Sequence, residues 1–207
     1  MRSTRIGMPR ARTPRNFDPE ARLQDVIKSF VARYNYLHEW RIQKLVFYAD
    51  LLSLSRRGYR LTSADFKKHF YGVFSSNIRE ELGKMTELDR RPDKTPTGKD
   101  TVRFQLRRSL LVPTLSKEDI CLIEEAHEAT RDLTNEQLAD WGKETTIWRT
   151  TDQGAPLDLR QYGSVMIRDS RADVERYRTL RAKTETRRAR FKSVRELRRS
   201  LEKAFPE

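Results

Sequence analysis

A chain of 207 residues with 36% hydrophobic and 35% charged side chains has room for one ordinary domain with a sizeable core plus extensions, and is short for two. Its single cysteine, Cys121, excludes an intramolecular disulfide and a Cys-based zinc site, and predicts a buried thiol in a reducing, cytoplasmic setting. No stretch approaches the roughly 18 consecutive apolar residues of a membrane span, and no apolar core follows the basic N-terminus as in a secretory signal.

The net charge of +13 is unevenly spread. Residues 1–16 carry five Arg and no acid, residues 168–207 fourteen basic against seven acidic side chains, and residues 17–167 twenty-four against twenty-three. The basicity therefore belongs to the ends. The chain divides into a flexible basic arm (1–16), a charge-balanced helical domain (17–167) and a basic helical extension (168–207).

Order is predicted to begin at Asp18, an N-cap before Pro19 at the first helical position. Leu23, Val26, Ile27, Phe30, Val31 and Tyr34 mark one face of a helix ending near His38. Trp40 to Leu52 follows as a helix apolar around almost its whole circumference, with Arg41, Gln43, Lys44 and Asp50 leaving a narrow exposed or hydrogen-bonded strip; such a helix must be surrounded. It is expected to be the central helix of the domain and to end near Arg56–Arg57–Gly58, where glycine suits a left-handed C-cap.

Residues 66–71 fit a short strand or a helical turn. Ser75 or Ser76 caps the next helix, with Ile78, Leu82, Met85 and Leu88 as its apolar positions. Residues 91–100, with Pro92, Pro96 and Gly98, read as a loop. Thr101 to Leu106 alternates, placing Val102, Phe104 and Leu106 on one face of a strand that could pair with 66–71 in a small antiparallel sheet. Ser116 to Asp119 and Thr134 to Gln137 resemble capping boxes of two further helices, the second ending at Gly142. Residues 143–164 read as irregular. Beyond about Ser170, helical spacing returns in one long helix or two short ones. The fold class is mainly α, built around the 40–52 helix with a small antiparallel sheet.

Catalytic chemistry is hard to find. His38, His69 and His127 lack metal-ligand spacing, Cys121 lacks a nucleophile signature, and the glycines form no phosphate-binding loop. The expectation is a protein that is not an enzyme and needs no cofactor or metal. The basic ends suit a polyanion, by contacts that weaken with salt; they equally suit an acidic protein.

Four motifs in order carry a family resemblance. Gln43-Lys44-Leu45-Val46-Phe47-Tyr48-Ala49-Asp50 is similar to the Gln-Lys-Leu-Leu-Tyr-Tyr-Ala helix of the Panacea domain, the SocA-like or GepA-like antitoxin domain. Arg57-Gly58-Tyr59-Arg60-Leu61-Thr62 resembles that family's Tyr-Gly-Arg-Pro-Ile-Thr turn, and Phe70-Tyr71-Gly72-Val73-Phe74-Ser75 its Tyr-Gly-Pro-Val segment, with Val73 replacing the proline. Trp148 to Asp158 resembles its Pro-Trp followed by a Thr, Gly and Ile-Asp run, with Lys143 to Ile147 where the family has Thr-His. The resemblance covers about residues 20–165.

It implies an antitoxin of a toxin–antitoxin system that binds a cognate toxin protein directly, as a SocA-type member does when it presents its toxin to the ClpXP protease. The alternative is a basic accessory protein of phage or mobile-element origin that binds nucleic acid through its ends. Candidate partner contacts are Tyr71, Gly72 and Trp148 in the domain, unless Tyr71 and Gly72 simply shape a loop beside the 40–52 helix and Trp148 packs it. In the extension the candidates are Arg187, Arg188, Arg190, Arg195, Arg198 and Arg199.

Overall fold

The computed structural model describes residues 18–159, apart from 96, 97, 99 and 108–110. The described residues are mainly α-helical: α1 (Pro19–Tyr34), α2 (Glu39–Arg57), α3 (Ser76–Lys84), α4 (Lys117–Thr130), α5 (Asn135–Glu144) and α6 (Thr146–Thr150). The strands are β1 (Leu37–His38), β2 (Lys67–His69), β3 (Gly72–Phe74), β4 (Leu88–Lys94) and β5 (Asp100–Leu106). They form a three-stranded antiparallel sheet in the order β1-β5-β4 and a separate hairpin of β2 and β3.

Local chemistry sets the helix ends. The Asp18 carboxylate accepts from the backbone of Glu20 and Ala21 at 3.0 and 3.2 Å. α1 stops at Tyr34, short of His38, where Asn35 takes φ 65° and ψ −43° in a tight turn closed by Tyr36 N donating to Tyr34 O at 2.7 Å. Gly58 closes α2 at φ 73°, and Ser75 caps α3. Both capping boxes form: the Ser116 hydroxyl with Asp119, and the Thr134 hydroxyl with Gln137.

In α2, every residue from Ile42 to Ser53 is buried. Phe47 meets Phe66 at a ring separation of 5.1 Å, and Tyr48 meets Trp141 at 4.9 Å. The polar members of this run are turned to backbone groups of neighbouring segments. Gln43 Nε2 donates to Ser75 O at 2.9 Å while Ser75 N donates back to Gln43 Oε1 at 2.8 Å. Lys44 Nζ donates to Val73 O at 2.7 Å. Asp50 accepts from Thr62 N and Oγ1 at 2.7 and 2.9 Å and from Arg60 Nη2 at 2.6 Å. Burial pushes the Asp50 carboxyl up, against the pull of Arg60 and Thr62. At the rim, Arg41 donates to Thr130 O and Leu133 O at 2.9 and 2.7 Å. The helix thus carries its own ties to the segments that enclose it, which avoids stranded polar groups in an apolar interior.

Several expectations are corrected. Residues 66–71 do not pair with 101–106. A two-residue turn brings β2 back onto β3, and the other edge of β2 takes the chain after α6: Lys68 N donates to Ala155 O and Gly154 N to Lys68 O, both at 2.9 Å, and Leu157 N to Phe66 O at 2.7 Å. β5 pairs instead with β1 and with β4, whose residues 91–94 were expected in a loop. Pro92 is accommodated because β4 is an edge strand, where a missing N–H costs no ladder bond. Phe104 is buried, but Val102 is 41% exposed, so only part of the predicted apolar face is covered. α5 continues past Gly142, which sits inside the helix close to Val73. Part of 143–164 is the short helix α6. Cys121 is exposed: α4 buries Asp119, Leu122, Ile123, Ala126 and Thr130, and position 121 falls on the opposite side of that stripe.

A second polar hub joins three helices. Asp119 in the first turn of α4 accepts from Arg22 of α1 at 2.8 Å and from Arg57 of α2 at 2.6 Å, while Ser116 N donates to it at 2.9 Å. Burial pushes its carboxyl upward, but the bonds from Arg57 and Ser116 and the charge of Arg22 outweigh that and hold it below the usual carboxylate range.

Candidate functional site

The first turn of α2, the β2–β3 hairpin and the start of α3 frame a cleft of about 360 Å³, lined by Glu39, Trp40, Gln43, Lys44, His69, Tyr71, Phe74 and Arg79. Its position follows from the ties just described, because Gln43 and Lys44 hold Ser75 and Val73 and thereby fix the hairpin beside α2. The turn residues Phe70 and Tyr71 lie between two three-residue strands and have nowhere to bury. They are 73% and 50% exposed.

Trp40, expected inside an enclosed helix, is 49% exposed. It precedes the buried run and projects at the helix mouth, where its ring meets Tyr71 edge-on at 5.2 Å. Tyr71 also meets Phe70 at 5.1 Å, and His69 meets Phe74 at 5.5 Å. Arg79 lies over the Phe74 ring at 4.9 Å and is paired with Glu39 at 2.8 Å. The result is a contiguous patch of large aromatic rings interleaved with cations.

Gly72 takes φ 103°, and a Cβ there would stand 3.5 Å from Ala139 O and from Lys44 Cε. The positive φ favours glycine at this point, while the 3.5 Å separations are ordinary contact distances that pack α5 and Lys44 under the hairpin. Burial lowers the Lys44 pKa to about 8, helped by Lys143 and opposed by Glu39.

Of the residues singled out from sequence, Tyr71 and Gly72 lie in this hairpin, Tyr71 on its surface and Gly72 beneath it. Trp148 is half-buried on α6 and packs on β2, with Lys68 Nζ 4.2 Å from its ring centroid. Arg187, Arg188, Arg190, Arg195, Arg198 and Arg199 lie outside the described residues. Sequence reasoning missed Trp40, Lys44, Phe70, Phe74 and Arg79. The one local signal was the Phe70-Tyr71-Gly72 run, aromatics directly before a turn glycine.

The histidines are dispersed: His38 pairs with Asp93 at 2.9 Å, His69 lies in the hairpin, and His127 meets Tyr34 at 4.5 Å. Among the described residues no cluster of His, Cys, Asp and Glu could hold a metal ion, and no helix is long and apolar enough to cross a membrane.

A family model described as antitoxin SocA-like, Panacea domain, matches residues 42–149. That interval contains the buried run of α2, the hairpin and all of the cleft lining except Glu39 and Trp40. No curated protein and no solved structure matches the chain.

Proposed function

The chain belongs to the SocA-like Panacea domain family, and on that premise we propose that it is a non-enzymatic antitoxin that neutralises a cognate toxin by direct binding, with the aromatic cleft as its contact surface. The observation that carries this reading is the cluster of Trp40, Phe70 and Tyr71, three large rings about half exposed or more, touching one another in series. Contiguous exposed aromatic surface mixed with arginine is the composition of binding hot spots, and leaving it in water is unfavourable.

The test is to express the product of the adjoining open reading frame alone and together with this chain. Growth arrest by the neighbour alone, relief on co-expression and co-purification of the two are the expected results; a harmless neighbour that does not co-purify overturns the reading. Neutralisation by blocking and neutralisation by delivery to a ClpXP-type protease are separated by the toxin's half-life in cells with and without that protease.

The uneven charge favours a second reading that is compatible with the first. Residues 2–15 and 168–203 would hold nucleic acid phosphates non-specifically. Retention on DNA or RNA across a salt series, compared between the full chain and one trimmed to residues 17–167, tests it. Equal retention of the two refutes it.

A further inference from the structure

The floor of the cleft is chemically more specific than its walls. Lys44 is 6% exposed, so its side chain is largely withdrawn from water while still lining the cleft. An ammonium carries three N–H donors. One is used by Val73 O at 2.7 Å, and the Trp40 ring centroid lies 5.9 Å from Nζ. No carboxylate is ion-paired with Lys44 among the described residues; Glu39, the one acid in the lining, is paired with Arg79. A buried cation with one carbonyl hydrogen bond, and only the more distant charge of Glu39 in its favour, is incompletely compensated. The other groups facing it are Lys143 on α5, which adds repulsion and itself lies 4.0 Å from Asp140, and His69 and Arg79 across the cleft.

We propose that this floor is a carboxylate-binding site, in which Lys44 receives an Asp or Glu side chain from a segment of the toxin while apolar groups flanking that acid lie against Trp40, Tyr71 and Phe74. The inference rests on the antitoxin reading and names the chemistry of the partner at the same surface. Charge selects the occupant: the Lys44 ammonium and the flanking rings match an acidic, partly apolar segment, and the basic ends that carry most of the net charge of +13 repel a second copy of this protein. Nucleic acid fits less well, since the one exposed guanidinium in the lining, Arg79, is already paired with Glu39, and a phosphate backbone is held by a row of exposed cations.

Phenylacetate, which joins a carboxylate to an aromatic ring, is a suitable probe of the full-length protein. With lysine labelled at Cε and the Lys44 resonance assigned from Lys44→Met, phenylacetate is expected to shift that resonance and raise its titration midpoint, and phenylacetamide to leave both unchanged. Equal responses to acid and amide, no response to phenylacetate, or a larger response to inorganic phosphate would overturn the proposal.

The second arm uses the toxin. Lys44→Met is expected to weaken binding about thirtyfold or more, as removal of one member of a desolvated charge pair does. Wild-type binding should also weaken about tenfold between pH 7 and 9, as Lys44 with a pKa of about 8 loses its proton in the free protein; the variant, which keeps Glu39, His69, Arg79, Asp140 and Lys143, reports their share of that change. A variant that binds within twofold of wild type overturns the carboxylate site and leaves the antitoxin reading standing. A toxin that ignores the wild-type chain defeats the antitoxin reading, whatever phenylacetate does.

Discussion

Gln43→Ala removes the side chain that joins α2 to the hairpin. Its amide both donates to and accepts from the backbone of Ser75, at 2.9 and 2.8 Å, and both residues are 1% exposed or less. Alanine would leave one buried N–H and one buried C=O without partners, each at about 1–3 kcal/mol, so the expected loss is about 3 kcal/mol after partial relaxation. For a domain of this size that corresponds to a Tm lower by about 6–12 °C. Gln43→Glu keeps the acceptor for Ser75 N but sets a buried carboxylate against Ser75 O, and should cost at least as much at neutral pH and less at low pH, where the protonated carboxyl can donate. Urea unfolding followed by circular dichroism measures the loss, and hydrogen exchange at the Ser75 amide reports whether the hairpin junction opens first. A loss below about 1 kcal/mol with unchanged Ser75 protection would refute the claim that Gln43 is what fixes the cleft.

Gly72→Ala places a side chain at a φ of 103°, and should destabilise by about 1–3 kcal/mol in the same urea assay. Trp40→Ala and Tyr71→Ala remove half-exposed rings; each should weaken toxin binding by about tenfold or more while shifting the urea midpoint little, as isothermal titration and unfolding measured side by side would show. Asp119 is held below the usual carboxylate range in the folded state, so its stabilisation is complete above about pH 4 and disappears as the pH falls through its folded value. Asp119→Asn should therefore be less stable at neutral pH and lose less on acidification than wild type; identical acid-unfolding profiles would refute the hub.

The elements that depend on near neighbours were legible in the sequence. Asp18 and Pro19, the boxes at Ser116 and Thr134, Ser75 before α3 and Gly58 after α2 act within one helical turn, so a window of a few residues contains all the chemistry they need. The resemblance of 43–50 to a Panacea helix was likewise visible, and the structure gives its polar letters a physical meaning: Gln43, Lys44 and Asp50 each tie a distant backbone segment to α2.

What tertiary structure alone decided is every feature set by partners far along the chain. Strand pairing is one such case: β5 pairs with β4 and β1, while the two edges of β2 are taken by β3 and by residues 154–157. Exposure is another: Trp40 and Cys121 carry apolar side chains in helical patterns, but the neighbouring elements leave both in solvent. The cleft unites residues from α2, the hairpin and α3. Periodicity states which positions share a face; it takes the packing of remote segments to determine whether that face is covered.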